Sequence, residues 1–373
     1  MEYSHKGGIE RAAAELADRF AQAGNDVHYH AHHWQTSTIS PVIFHRVPTL
    51  PWPHSAQLAS FAWAASRQLR TQQSDITHSH GGVVGCDVGT AHSCHRAGMM
   101  ARGKDSMTGS RKNWGITDSF FLRCEKKIYA ERTYGKIIAV AEGVRRELFA
   151  CYEVPEDHVV VIPNGVDLHT FSPEVRAARR DEARRRLGLA RTDEVIIFVS
   201  NEFERKGLRH ALDAVAIAHS SSRKLLVVGR DDPRPYQRYA RDHGISPYVV
   251  FAGAADDMPA IFAAADLFLL PTSYEAFPLV LLEAAATGLP ILITRVHGAE
   301  EFIRESVNGL FITQDPPNIA HAIQLVSENS EFRERLGHAA RATALQYSWD
   351  VIAERTWNVY EDVFDQKSKK SGM

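Results

Sequence analysis

The chain has 373 residues, more than one ordinary hydrophobic core accommodates, so two domains are the natural expectation. Hydrophobic residues make up 44% and charged residues 24%, and the formal net charge of −2 excludes a chain-wide attraction to nucleic acid or membranes. No apolar run approaches the ~20 residues that cross a bilayer, and no basic start followed by an apolar stretch marks a secretory signal.

The first half of the chain alternates short apolar runs with helical patterns. A helix over 12–23 is followed by strands and helices in turn. We predict strands at 27–31, 41–46, 75–79, 88–91, 136–140 and 159–162, and helices at 55–71, 118–134 and 141–152. This alternation favours a parallel sheet with right-handed crossovers.

One segment of the first half, 96–136, is locally basic. Ten lysines and arginines stand there against four acids, a net of +6 (10 − 4), with aromatic residues between them. A solvated loop and an amphipathic helix would explain the charge, and so would a surface for an anionic acceptor or for anionic lipid headgroups. Nucleic acid is a weaker expectation because no reading motif accompanies the charge.

The second half repeats the strand and helix alternation. We predict strands at 195–200, 225–229, 249–251, 267–270, 291–294 and 310–312, and helices at 236–243, 256–265, 280–286, 317–328, 331–347 and 351–364, with a further helix from 208. The segment 174–188 carries six arginines and is expected to be an exposed helix or linker. The tail 365–373 is polar and is predicted to be disordered.

The most informative stretch is 266–298, which has the pattern of strand, loop, helix, loop and strand. Pro278 presets φ for a helix start, and Gly288-Leu-Pro290 ends the helix. Glu275 lies in the loop before the helix, and Glu283 is expected about two turns inside it. The helix N-terminus should present backbone N–H groups over Phe277, Pro278, Leu279 and Val280, a favourable site for a diphosphate.

The string E-A-F-P-L-V-L-L-E-A resembles the E-x7-E signature of retaining glycosyltransferases of family 4, also called group 1 glycosyltransferases. The strings around 163–171 (PNGVDLHTF) and 347–350 (YSWD) are also similar to that family. The resemblance implies an α/β chain of GT-B architecture, in which two Rossmann-like domains face each other across a cleft. It also implies that Glu275 contacts the donor sugar, Glu283 the ribose, and the amides of 277–280 the sugar and phosphate.

Further site residues follow from the same resemblance. Arg205 and Lys206 match the arginine and lysine that hold the donor phosphates, where fixed cations stabilise the charge of a departing nucleoside diphosphate. His92 matches a position near the donor sugar, whereas His78, His80 and His95 are expected to be structural or surface-exposed residues without a role in the site. Gly7 and Gly8 match glycines that admit the diphosphate from the first domain.

The resemblance sets the domain organisation that we expect. An acceptor-side domain over 1–165 would be completed by the helix 351–364, and a nucleotide-sugar domain would cover 166–348. In the family a buried first strand precedes the two glycines. Nothing apolar precedes His5 here, so we expect the first domain to lack that strand, either because the start is truncated or as a natural departure.

Two local strings, SNEFERKGL and the segment around 227–253, are similar to the lipopolysaccharide core glucosyltransferase branch. They imply a UDP-hexose donor, UDP-glucose first, and an anionic glycolipid or polysaccharide acceptor. The implied reaction retains the anomeric configuration, with the donor β-phosphate taking the acceptor's proton, and needs no metal or other cofactor. Domain closure would assemble the site. The expected location is the cytoplasm, with peripheral contact at the inner membrane face and no nucleic-acid partner.

Other functions stay open at this point. A nucleotide-sugar epimerase could share the architecture, and an inactive relative that only binds the donor would share the donor residues. A phosphorylase would need a pyridoxal-phosphate lysine and a longer chain. A dehydrogenase has no support because no G-x-G-x-x-G follows a predicted strand. The four cysteines lack metal-site spacing and are expected to be free thiols: Cys86, Cys94, Cys124 and Cys151.

Overall fold

The structure is a computed structural model that describes residues 2–4, 7–34, 41–52, 54–104 and 115–371. The chain divides into two units, one of Met1–Asn164 with Trp349–Met373 and one of Gly165–Ser348. All four cysteines are free thiols. Within the described residues, no helix is both long enough and apolar enough to cross a membrane.

The first unit is an α/β structure with parallel strand pairs. Its strands are β1 Glu2–Tyr3, β2 His28–Ala31, β3 His33–Trp34, β4 Ile43–Arg46, β5 His78–Ser79, β6 Val88–Ala91, β7 Lys136–Ala139 and β8 Val159–Val161. Its first helices are α1 Gly8–Gln22, α2 His54–Thr71, α3 His95–Lys104, α4 Ile116–Glu125 and α5 Glu142–Tyr152. The pairs form one sheet in the order β5-β6-β7-β8 and two separate pairs, β2-β4 and β1-β3.

The first strand differs from the prediction that it would be missing. Two residues, Glu2 and Tyr3, form β1 and pair in parallel with His33 and Trp34. Tyr3 is only 2% exposed and packs edge-on against the rings of Tyr29 and Phe44. A single aromatic side chain thus anchors a very short strand. The prediction did not detect this strand because it required a run of several apolar residues.

The second unit contains one six-stranded parallel sheet. Its strands are β9 Glu194–Val199, β10 Arg223–Val228, β11 Val249–Gly253, β12 Leu267–Leu270, β13 Ile291–Thr294 and β14 Leu310–Ile312. Its helices are α6 Pro173–Arg186, α7 Leu208–Ile217, α8 Arg234–Asp242, α9 Met258–Ala263, α10 Leu279–Ala286, α11 Ala299–Phe302, α12 Pro316–Glu328 and α13 Ser330–Ala344. The central strands are continuous apolar runs because helices cover both faces of a parallel sheet.

The order of this sheet fixes where a ligand would lie. The strands run β11-β10-β9-β12-β13-β14, so the order reverses between β9 and β12. In doubly wound sheets the ligand crevice lies beyond the carboxyl ends of the strands at such a reversal. The loops after β9 and β12 are therefore the first place to look for a site.

Helix α6 was predicted as an exposed helix or linker, and this was wrong for one of its faces. Arg176, Arg180 and Arg184 recur every four residues, so they lie on the same side of the helix. Their guanidinium groups donate to the carbonyls that end α9, at 2.8–3.0 Å for Ala264 and Ala265, and to the carboxylate of Asp266. These arginines therefore attach α6 to the sheet and do not form a solvated surface.

The last helix, α14 Trp349–Ser371, belongs to the first unit. Phe20 of α1 packs against Trp357 and Tyr360 of α14, with ring centroids 5.6 and 5.3 Å apart. The prediction of a disordered tail from residue 365 was wrong, because the helix continues to Ser371. Lys367 stabilises this extension through Nζ, which lies 2.8 Å from the Asp75 carbonyl and 3.1 Å from the Asp87 carboxylate.

Candidate active site

The loop after β9 is held by a buried aromatic side chain. Phe203 is 2% exposed, and its amide donates to the carboxylate of Asp231 at 2.7 Å. The next turn is closed by the amide of Lys206, which donates to the Glu202 carbonyl at 3.1 Å. Arg205 and Lys206 therefore project from a rigid turn between a strand end and the start of α7.

Gly207 brings this turn against the loop after β12. Its φ is +80°, in the left-handed region, and a Cβ placed on it would lie 2.1 Å from the carbonyl oxygen of Pro271. Only glycine satisfies both conditions without strain. The close approach is reinforced by the amide of Ser273, which donates to the Arg205 carbonyl at 3.1 Å.

Three donors from the two loops converge on one oxygen of Glu275. Arg205 Nη1 lies 3.3 Å from Oε1, the hydroxyl of Thr272 lies 3.4 Å from it, and Lys206 Nζ contacts it directly. Glu275 is 9% exposed and Thr272 only 1%, so the cluster is shielded from water. Three of the predicted site residues thus meet at the reversal of strand order.

The electrostatics of this cluster centre on Lys206. Burial and the neighbouring Arg205 guanidinium lower the pKa of Lys206 to about 7, against the opposing effect of the Glu202 carboxylate. An ammonium with such a pKa is poorly solvated by its surroundings. A diphosphate placed beside it would favour the charged form and would itself be stabilised.

Helix α10 begins at Leu279, with Pro278 in an extended conformation at the N-cap. Pro278 has no N–H, so of the four residues predicted to bind an anion, only Phe277, Leu279 and Val280 can offer a backbone amide. Glu283 is the fifth helical residue, hence about one turn inside the helix and not two as predicted, and it is 4% exposed. Phe277 is fixed by Gly298, where a Cβ would lie 2.6 Å from its ring.

His92 lies in the first unit, just beyond the carboxyl end of β6. Its Nε2 is 3.2 Å from Nδ1 of His80, and both rings line a cavity of about 20 Å³, room for one water. Burial lowers the pKa of His92 to about 4, so the imidazole is neutral at pH 7. A neutral ring can exchange a hydrogen bond with a hydroxyl but offers no cation to a phosphate.

Gly7 and Gly8 also belong to the first unit. Gly7 is the N-cap residue of α1, and Gly8 is its first helical residue. A Cβ on Gly7 would lie 2.3 Å from a carboxylate oxygen of Glu10, so the carboxylate occupies the space beside this turn.

The basic segment 96–136 is only partly described, since residues 105–114 lie outside the described ranges. The predicted helix over 118–134 is α4 followed by a π-helical turn, Lys126–Ala130. Two of its cations bind neighbouring carbonyls: Arg96 that of Cys151 and Lys136 that of Asp157. These two contribute less to a free basic surface than the charge count predicted.

Four residues that build the cluster were not predicted from the sequence: Glu202, Gly207, Asp231 and Thr272. Thr272 and Asp231 each follow the carboxyl end of a strand closely, a signal that could have marked them. Gly207 directly follows the two cations at the helix start, where an N-cap with positive φ requires glycine.

Two family models match the chain. The model described as glycosyl transferases group 1 matches residues 179–343, and the one described as glycosyltransferase family 4 matches residues 6–170. The chain is 30% identical over 317 residues to the D-inositol 3-phosphate glycosyltransferase of Thermomonospora curvata, covering 78% of this chain and 72% of that relative.

Other comparisons agree. An uncharacterised glycosyltransferase of Methanocaldococcus jannaschii is 31% identical over 232 residues, and the match spans 61% of this chain and 60% of that relative's length. The lipopolysaccharide glucosyltransferase WaaG of Escherichia coli is 25% identical over 314 residues, covering 83% of this chain and 82% of that enzyme. A crystal structure of WaaG superimposes with a TM-score of 0.83 at 22% identity, over 96% of this chain and 97% of the other, which shows the two-domain GT-B fold.

Proposed function

We propose that this chain, which belongs to the group 1 and family 4 glycosyltransferases, transfers a hexose from a nucleoside-diphosphate sugar to a glycolipid or polysaccharide acceptor. The observation that carries the proposal is the meeting of Arg205, Lys206 and Glu275 at the reversal of strand order in the second unit. Two cations and a carboxylate suit two adjacent parts of a nucleotide sugar, the diphosphate and the sugar with its several hydroxyls.

The leaving group sets what the cations must do. When the bond between the sugar and the β-phosphate breaks, negative charge develops on the departing diphosphate. Arg205 and Lys206 would stabilise that charge, and the amides at the start of α10 would add hydrogen bonds and the positive end of the helix dipole. On this proposal the cations do the work that a metal does elsewhere, and no cofactor takes part.

The two glutamates would position the substrate. The carboxylate of Glu275 pairs with both cations, so nucleotide-sugar binding would exchange these ion pairs for pairs with phosphate oxygens. Glu275 would then accept hydrogen bonds from sugar hydroxyls. Glu283, one turn inside α10, would accept hydrogen bonds from the ribose.

We further propose that the reaction retains the anomeric configuration and that UDP-glucose is the donor. The acceptor hydroxyl would attack on the face from which the diphosphate departs, and a β-phosphate oxygen would take its proton. The neutral imidazole of His92 would bind a sugar hydroxyl. Gly7 and Gly8 would admit the diphosphate once the Glu10 carboxylate moves out of the space beside their turn. The similarity to WaaG, which is a lipopolysaccharide glucosyltransferase, supports glucose as the sugar and an anionic glycolipid as the acceptor.

Acceptors of that kind lie in membranes, so we propose that the enzyme works in the cytoplasm at the inner membrane face. The first unit exposes large apolar side chains that would suit a lipid surface, among them Trp52 at 83% and Trp63 at 66% exposure. Basic residues of 96–136 would add attraction to anionic headgroups.

The test is a comparison of UDP-, GDP- and ADP-sugars by calorimetric titration and by isotope-labelled transfer to a glycolipid extract. We expect one nucleotide sugar to bind, and Lys206→Met and Glu283→Gln to weaken that binding at least about tenfold, the usual cost of a lost charged hydrogen bond. Lys224→Met is the matched control, because Lys224 Nζ contacts the Pro247 carbonyl at 2.8 Å and not the crevice loops.

The outcomes separate the competing functions. Binding that both site variants weaken, together with transfer to the acceptor, supports the proposal. Binding without transfer identifies a donor-binding relative, and conversion of the free nucleotide sugar to its epimer identifies an epimerase. Equal binding by Lys206→Met and Lys224→Met would refute the placement of the diphosphate.

A further inference from the structure

Three histidines of the first unit lie side by side at two paired strands. His78 belongs to β5, His80 directly follows β5, and His92 directly follows β6. The ring centroids of His78 and His80 are 4.3 Å apart, and those of His80 and His92 are 5.4 Å apart. His80 was expected to have no role in the site, but the structure places its ring between those of His78 and His92.

The ring of His78 is fixed at both of its nitrogens. Nδ1 lies 2.6 Å from the hydroxyl of Tyr360 on α14, and Nε2 lies 2.8 Å from the hydroxyl of Thr90 on β6. Burial lowers the pKa of His78 to about 3, so this ring is neutral at pH 7. Rotation of the ring would break both hydrogen bonds, so His78 gives His80 a rigid surface to pack against.

His80 and His92 share one hydrogen bond, between Nδ1 of His80 and Nε2 of His92 at 3.2 Å. Burial lowers the pKa of both side chains, that of His92 to about 4, and the neighbouring imidazoles lower the pKa of His80 further. Both rings are therefore neutral at pH 7, and a neutral imidazole has one N–H and one acceptor nitrogen. Either His92 donates to His80 or His80 donates to His92.

The chemistry of imidazole favours His92 as the donor. That arrangement puts the proton on Nε2 of both rings, which is the more stable tautomer of a neutral histidine side chain. The reverse arrangement would put the proton on Nδ1 of both rings, so two rings would adopt the less stable tautomer. With Nε2 of His92 directed to His80, Nδ1 is the remaining nitrogen for a ligand, and in the favoured tautomer it is an acceptor.

We propose that His80 is a positioning residue that holds His92 in the Nε2–H tautomer, so that Nδ1 of His92 accepts a hydrogen bond from one hydroxyl of the donor sugar. The sugar contact rests on the proposed function, whereas the tautomer is a property of the first unit alone. The consequence is a rule of selectivity: the sugar must present a hydrogen-bond donor to His92. A fluorine donates no hydrogen bond, so it cannot replace that hydroxyl.

The first test reads the tautomer by NMR of the full chain with ¹⁵N-labelled histidine, and the spectrum of His92→Gln assigns the His92 signals. We expect Nε2 of His92 to have the shift of a protonated nitrogen and Nδ1 that of an unprotonated one. His80→Leu should move both shifts toward the average of two tautomers. His80→Asn should restore the single tautomer, because its carbonyl oxygen can take the place of Nδ1 as the acceptor.

His30→Leu is the matched control for this spectrum. It removes another imidazole of the first unit, one whose nitrogens lie 3.0 and 2.9 Å from the amide oxygens of Gln68 and Gln72 and not against His92. A proton on Nδ1 of His92 in the wild-type protein, or unchanged His92 signals in His80→Leu, would overturn the proposal. If His80→Leu does not fold, His80→Ser replaces it, because a serine side chain is too short to reach His92.

The second test measures the sugar contact by calorimetric titration of UDP, UDP-glucose and the UDP-deoxyfluoroglucoses, in which fluorine replaces one hydroxyl at a time. At one position the fluorine should weaken binding to the wild-type protein about twofold to tenfold, the value of a neutral hydrogen bond. In His80→Leu this loss should shrink, because the affinity for UDP-glucose itself falls by a similar factor. The affinity for UDP should stay unchanged, since UDP lacks the hexose.

A fluorine effect that His80→Leu reduces, and that His80→Asn and His30→Leu retain, supports the proposal. Equal fluorine effects in the wild-type protein and in His80→Leu at every position would overturn the sugar contact. If no nucleotide sugar binds, the proposed function is refuted and the sugar contact with it. The NMR spectra then decide by themselves whether His80 positions His92.

Discussion

Replacing Gly207 by alanine should disturb the candidate site through the backbone, without touching any charged group. The left-handed conformation costs a Cβ-bearing residue roughly 1–2 kcal/mol. The Cβ would also lie 2.1 Å from the Pro271 carbonyl oxygen, and relieving such overpacking costs about 1–3 kcal/mol more. We therefore expect the free energy of unfolding to fall by roughly 2–5 kcal/mol, and the two crevice loops to separate.

Gly244 provides a matched control, because its φ of +68° is similar and a Cβ there meets no atom within 4 Å. Gly244→Ala should lose only the conformational part, about 1–2 kcal/mol, and should bind nucleotide sugar normally. Chemical denaturation and calorimetric titration measure the two effects on each variant. Equal losses of stability at the two positions, or unchanged nucleotide binding by Gly207→Ala, would refute the role of the close approach.

Two further predictions concern charges in the second unit. The pKa of Lys206 is about 7, and a bound diphosphate would raise it, so nucleotide-sugar affinity should be constant below pH 7 and should fall as the pH rises above it. Lys206→Arg should flatten this dependence of affinity on pH, because the guanidinium stays charged. Arg184→Met should cost roughly 1–3 kcal/mol in chemical denaturation, because it removes the buried guanidinium that donates to the carbonyls of Ala190, Arg191 and Asp193, while Asp266 keeps its pair with Arg180. Arg179→Met on the same helix removes a half-exposed pair with Asp257 and should cost well under about 1 kcal/mol, and equal costs would contradict the burial argument.

The order of strands and helices in the second unit was predictable from the sequence because its parallel strands are unbroken apolar runs. In the first unit the strands are shorter and partly polar, as in His28–Ala31, and the prediction was less complete. Tyr3 alone anchors β1. A strand of two residues is too short for hydrophobic periodicity to predict it. The disordered tail was predicted from polar composition, which does not register the contacts of Lys367 with Asp75 and Asp87.

The residues of the site were also predictable only in part, because the sequence shows local motifs but not contacts between distant segments. Arg205, Lys206 and Glu275 stand at strand ends in a recognisable motif, and the structure brings them together. The sequence could not show that Arg176, Arg180 and Arg184 share one partly buried carboxylate, because that partner lies 82–90 residues further along the chain. From the sequence alone, a cluster of charged residues on a helix is interpreted as a solvent-exposed face, because the element that packs against that face is not known.

The ion pairs of Glu275 give it a second role that the motif does not reveal. Its carboxylate pairs with both Arg205 and Lys206, so on the proposed function it would compete with phosphate for these cations as well as contact the sugar. Glu275→Gln should remove the sugar contact and weaken that competition together. The affinity ratio of UDP-glucose to UDP should therefore fall about tenfold, the value of a charged hydrogen bond. Glu202→Gln removes an exposed carboxylate that acts on Arg205 and Lys206 but is not proposed to contact the sugar, so it should change the affinities for UDP-glucose and UDP alike and leave their ratio unchanged. A ratio that both variants lower equally would show that Glu275 acts on the cations alone and does not contact the sugar.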